Sequence, residues 1–103
     1  MIDGKWYVWA KTPLGKQESI LDLHCEEGGI MRGTVLNLKT DELVELKKGR
    51  WEGDHFSFRA QIEVQPLGKL AFVWEGDVDG DKVTGINKVV MGKTPYQGER
   101  VKE

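Results

Sequence analysis

The 103 residues suffice for one compact domain, 1–103, and are too few for a second. Hydrophobic residues make up 39% and charged ones 31%, and four Trp, three Phe and two Tyr separate the chain from disordered sequences. Fifteen basic against seventeen acidic residues leave a net charge of −2 with no polybasic run, which argues against nucleic-acid binding by counterion release and against docking on a membrane surface.

Met1-Ile2-Asp3-Gly4-Lys5 leads straight into patterned sequence and leaves no room for a signal peptide. A first strand is expected over 5–11. It ends in Thr12-Pro13-Leu14-Gly15-Lys16, where Pro presets the backbone and Gly accepts positive φ. A second strand over 17–25 has two registers. One turns Ser19, Leu21, Leu23 and Cys25 inward, and the other turns Glu18, Ile20, Asp22 and His24 inward, burying an Asp22–His24 pair. Burying a leucine gains about 1.5–3 kcal/mol, whereas burying an unpaired carboxylate is costly, so the leucine register is expected. Asp22 and His24 then fall on the outside.

Glu26-Glu27-Gly28-Gly29 reads as a turn before a third strand, 30–39. Asp41–Lys48 holds helix formers, yet its setting between strands and its Leu43, Val44 and Leu46 favour a strand over 42–50. The clearest alternation runs from His55 to Val64, every even position apolar, within a strand over 54–65. Gln65-Pro66-Leu67-Gly68-Lys69 then repeats the first loop, followed by strands over 69–78, 82–91 and 96–102. The stretch Gly49–Ser57 also matches Gly76–Thr84 position by position, and Gly-Lys-Trp and Gly-Arg-Trp precede the two Pro-Leu-Gly-Lys loops, a weak internal duplication. No segment holds a helical pattern for three turns. The chain is therefore all-β, and eight antiparallel strands joined by tight hairpins form an up-and-down meander that hides its edges by closing into a barrel. Such a barrel is either filled by side chains or just wide enough for one small ligand.

The ends of the chain carry a resemblance. Gly4-Lys5-Trp6 on the first strand and Arg100 on the last resemble the calycin signature shared by lipocalins, fatty-acid-binding proteins and avidins. The resemblance implies that the Arg100 guanidinium stacks over the Trp6 indole and caps the barrel floor. It also implies an affinity for small apolar molecules, with no particular ligand named. The chain is shorter than a lipocalin, has no disulfide and lacks the two-helix lid of the fatty-acid-binding proteins, which argues against a large lipid-sized cavity.

The expected ligand-binding set is Trp6, Phe58, Phe72, Trp74, Asn87, Tyr96 and Arg100, inward positions of the aromatic strands together with the polar groups beside them. Asn87 shares a face with Gly85, Val89 and Met91, so its amide needs a partner in protein, water or ligand. Tyr96, on the face of Gly98 and Arg100, is placed to offer its hydroxyl to a ligand. An enzymatic alternative, an isomerase or hydrolase, would use Asp22 and His24, or Tyr96 and Arg100. A third reading is a filled module. Tyr7 and Trp9 face outward, covered by the stems of Lys5 and Lys11 or forming a homodimer interface.

Metal and cofactor sites are not expected. Asp77-Val78-Asp79-Gly80-Asp81 misplaces the calcium-loop glycine and has Lys88 where a bidentate Glu is needed. Gly92-Lys93-Thr94 lacks the rest of a phosphate loop, and His24 and Cys25 are adjacent on a strand and point apart. Ser19 and Ser57 have no nucleophile elbow. Cys25 is the single cysteine, which excludes an intrachain disulfide and points to a cytoplasmic setting.

Overall fold

Alternating apolar positions and two-residue turns build one antiparallel sheet in a computed structural model that describes residues 2–13, 15–64, 68–89 and 92–102. Its nine strands are β1 (Gly4–Thr12), β2 (Gly15–Glu26), β3 (Ile30–Asn37), β4 (Glu42–Glu45), β5 (Lys47–Glu52), β6 (His55–Val64), β7 (Gly68–Asp79), β8 (Lys82–Val89) and β9 (Gly92–Arg100). β2 pairs with both β1 and β3, and β9 pairs with β1, so eight strands close into a barrel while β4 lies outside the ring against β3. Closure leaves those eight strands with bonded flanks and removes the sheet edges that favour aggregation. Among the described residues, no helix is long and apolar enough to cross a membrane.

The single strand expected over 42–50 is two. The register slips between Lys47 and Arg50, Lys48 takes a φ of 54°, and the chain turns to join β6 while Arg50 still pairs with Ile30 of β3, which closes the ring. Gly49 permits the crossing, because a Cβ there would stand 2.1 Å from the Met31 carbonyl oxygen. The duplicated turns are a pair in space as in sequence. Glu52 faces His55 and Asp79 faces Lys82 across two-residue loops whose first residues, Gly53 and Gly80, have φ of 60° and 62°. Glycine is favoured at such a position in a hairpin. Val64, Met91 and the second Pro-Leu-Gly-Lys loop from Gln65 to Leu67, all assigned above by pattern, lie outside the described residues or side chains.

The first hairpin settles in the leucine register, with Trp6 opposite Leu21 and Val8 opposite Ser19. Leu21 and Leu23 are fully buried, and Ile20, Asp22 and His24 point to the outer face. Inside, Trp6, Val8, Leu21, Leu23, Val35, Phe56, Phe58 and Val83 pack as one core. Strand direction gives the barrel two distinct ends. Residues 27–29, 53–54 and 80–81 turn at one end, beside the start of β1 at Gly4 and the end of β9 at Arg100, and the strand ends Thr12, Gly15, Asn37, Glu42, Val64, Gly68, Val89 and Gly92 lie at the other.

Candidate functional site

At the end where β1 begins and β9 ends, the barrel is sealed. The Arg100 guanidinium carbon sits 4.2 Å from the centre of the Trp6 ring, the stack expected above. Arg100 donates to the Asp3 carbonyl (2.6 Å), the Asp81 carboxylate (3.1 Å) and the Gly80 carbonyl (3.4 Å), and Trp6 Nε1 donates to the Ile2 carbonyl (2.8 Å). The fit is close enough to require glycine at position 4, where φ is +124° and a Cβ would stand 3.0 Å from an Arg100 nitrogen.

From this floor an aromatic ladder climbs the inner wall. Phe56 and Phe58 stack at 6.1 Å, Phe58 and Trp74 at 5.6 Å, and Trp74 meets Tyr96 edge-on at 5.1 Å. Gly76 and Gly85, directly opposed across β7 and β8, make room for it. A Cβ on Gly76 would lie 2.5 Å from the Phe56 ring and one on Gly85 2.7 Å from the Tyr96 hydroxyl. Above the ladder the packing stops. A cavity of about 480 Å³ fills the other half of the barrel, walled by Ala10, Ile62, Leu70, Phe72, Trp74, Val89 and Tyr96, with Gln17, Ser19, Asn37, Asn87 and Thr94 as its polar points.

The seven residues expected to bind ligand divide along this boundary. Phe72, Trp74, Asn87 and Tyr96 line the cavity. Trp6 and Phe58 are buried in the packed half, and Arg100 caps the floor, so none of these three borders it. The distinction follows from distance along the strands, since period two sorts faces but not ends. Ser19, Asn37 and Thr94 escaped the sequence-based set although their neighbours marked their faces. Asn37 is in phase with the buried Val35, Ser19 pairs with Asn37, and Thr94 pairs with Asn87.

Two buried polar atoms of the lining residues have no partner in the protein: Trp74 Nε1, a donor, and Asn87 Oδ1, an acceptor. Trp74 and Asn87 are cross-strand neighbours, one facing the other. The Tyr96 hydroxyl, by contrast, donates to the Glu75 carbonyl at 2.7 Å, so its proton is engaged by the barrel wall and is not free for a ligand. Burial, with the nearby Asp77 and Glu75 charges, pushes that hydroxyl far above the ordinary tyrosine range, which keeps it un-ionised. Among the described lining residues the only other ionisable side chain is Lys93, at the exposed rim.

His24 Nε2 and Asp22 Oδ1 meet on the outer wall, 3.3 Å apart with side chains 64% and 34% exposed, and neither borders the cavity. His55 pairs similarly with Asp77 at 2.9 Å on the surface. Among the described residues, no group of three or more His, Cys, Asp or Glu is placed to hold a metal ion. Cys25 is half-buried against the core, and its thiol is pushed up to about 11 by desolvation and by the Asp3 carboxylate, which also accepts the Cys25 backbone N–H. Tyr7 and Trp9 pack together outside at 5.3 Å. Their cover comes from the facing strand: Tyr7 donates to Glu18, and the Lys16 ammonium lies 5.9 Å above the Trp9 ring. The hydrogen bond to Glu18 raises the Tyr7 hydroxyl above its usual range.

The chain matches no family model, no curated protein and no solved structure.

Proposed function

We propose that the protein binds a small, mainly apolar or aromatic molecule in the half-barrel cavity and performs no chemistry on it. The observation that carries this reading is the abrupt end of packing above Trp74. About 480 Å³ lies within the range of small-molecule sites and equals the liquid volume of roughly sixteen waters. Its wall is chiefly aliphatic and aromatic, with a few polar points, as ligand sites commonly are. The Gly4, Trp6 and Arg100 floor supports a calycin-like assignment within this reading, and the lone Cys25 supports a cytoplasmic setting. The enzymatic alternative has less support, since an acid–base pair needs a substrate beside it and the cavity opens on the opposite face of the wall from His24.

Native mass spectrometry of freshly purified protein, under gentle and denaturing conditions, tests the reading. Extra mass lost on denaturation supports it and gives the ligand's size. Titration with the neutral fluorophore N-phenyl-1-naphthylamine then asks whether the cavity takes an apolar guest. Bare protein together with no fluorophore binding contradicts the proposal.

A second reading, self-association, has its own observation. Tyr7, Ile20, Leu36 and Leu43 face one another in a continuous outer row across β1 to β4, and Leu43 is 62% exposed. We propose that a homodimer would pair through this row and the adjoining Trp9. Sedimentation velocity checks it: Leu43→Lys should convert a dimer to monomer, and a monomeric wild type at high concentration removes the idea.

A further inference from the structure

Two unpartnered atoms of the cavity-lining residues bear on the charge of any guest. Trp74 Nε1 can only donate and Asn87 Oδ1 can only accept, so an apolar guest would leave both unpaired at a free-energy cost. A carboxylate could accept from Trp74, but it has no proton for Asn87. Reversing the Asn87 amide would supply a second donor, yet the anion would still be buried with no cation beside it. Arg100 lies at the floor, engaged with Trp6, Asp3 and Asp81, and Lys93 lies at the rim. A hydroxyl or carboxamide carries a donor and an acceptor on one small neutral group. Cross-strand placement sets Trp74 and Asn87 side by side on the inner wall, so one small group could serve both.

We propose that the ligand is a neutral alcohol or amide whose polar group enters first, accepting from Trp74 Nε1 and donating to Asn87 Oδ1, with its apolar body against Phe72, Leu70 and Ile62. This rests on the cavity-binding reading above.

The test displaces N-phenyl-1-naphthylamine from the intact protein at pH 8 with four guests of similar length: 1-octanol, octanamide, 1-methoxyheptane and octanoate. Octanol and octanamide should displace the fluorophore at concentrations at least about tenfold below octanoate and several-fold below the ether, which accepts but cannot donate. In Asn87→Leu the advantage of octanol over the ether should vanish while the fluorophore still binds. Trp74→Phe, which keeps the ring and removes the donor, should weaken octanol and the ether alike. Octanoate equal to octanol overturns the proposal, and its weakening by Lys93→Gln would place the acid at the rim. Equal displacement by octanol and ether also overturns it, because water or a direct Trp74–Asn87 bond then completes the pair. Failure of the fluorophore to bind, in a protein that carries no co-purified mass, rejects the cavity reading itself, a result distinct from either of these.

Discussion

Trp6 and Trp74 both point into the barrel, and they meet opposite surroundings. Trp6 is fully buried beneath Arg100, and its indole nitrogen is bonded to Ile2. Trp74 is 4% exposed, stacked on Phe58, and its indole nitrogen has no protein acceptor. The indole of the packed half is therefore bonded within the chain, and the wall of the other half carries a donor and an acceptor with no protein partner. Buried packing dominates the first half, and the proposed recognition of a guest would fall to the second.

The largest effect expected from breaking this contrast is at the floor. Trp6→Ala should cost about 3–5 kcal/mol in urea unfolding, the range for deleting a buried aromatic ring. Phe72→Ala, at a wall already bordered by open space, should cost clearly less. Next comes the boundary between the halves. A Cβ on Gly85 would lie 1.9 Å from the Glu75 carbonyl oxygen and crowd the Tyr96 hydroxyl. Gly85→Ala should therefore lose about 3 kcal/mol and disturb the near-ultraviolet signal of Trp74 and Tyr96. Arg100→Lys keeps the charge but loses the planar stack and part of the hydrogen-bond fork, and should cost about 1–2 kcal/mol without altering fluorophore affinity. A change in affinity would mean that the two halves are coupled.

The smallest effect concerns Cys25. Because its thiol is raised from 9.0 to about 11, the folded state keeps a proton that the unfolded chain releases between those values. Its contribution to stability is full below pH 9.0 and is lost as pH climbs through about 11. Alkylation by iodoacetamide at pH 8 should be correspondingly slow, with a thiolate fraction roughly a hundredfold below that of the unfolded chain. Rapid labelling of native protein would place Cys25 in open water instead.

Much of this architecture was legible because β-structure writes its faces at period two. Val83, Gly85, Asn87 and Val89 announce one face of β8, and the cost of burying Asp22 decided the first hairpin. The break between β4 and β5 was not legible, since it turns on a left-handed Lys48 and the approach of Gly49 to Met31, neither of which alters the alternation. The site was half legible. Alternation identified Phe72, Trp74, Asn87 and Tyr96 as inward, but whether an inward residue meets packing or space depends on its height in the barrel. That height is set by the cross-strand register, such as Trp6 with Arg100 and Asn87 with Thr94. For the same reason Phe58, two residues from Ala60 on one face, belongs to the packed core rather than the cavity.

The most direct test of the division is Asn87→Leu, unfolded in urea with and without N-phenyl-1-naphthylamine and 1-octanol. If Asn87 serves a guest, the unliganded variant should match or exceed wild-type stability by up to about 1 kcal/mol, because a buried unpaired acceptor has been removed. The added stability that octanol confers on the wild type should fall sharply in the variant. An unliganded protein destabilised by Asn87→Leu, with its response to octanol unchanged, would make Asn87 a structural residue and contradict the account.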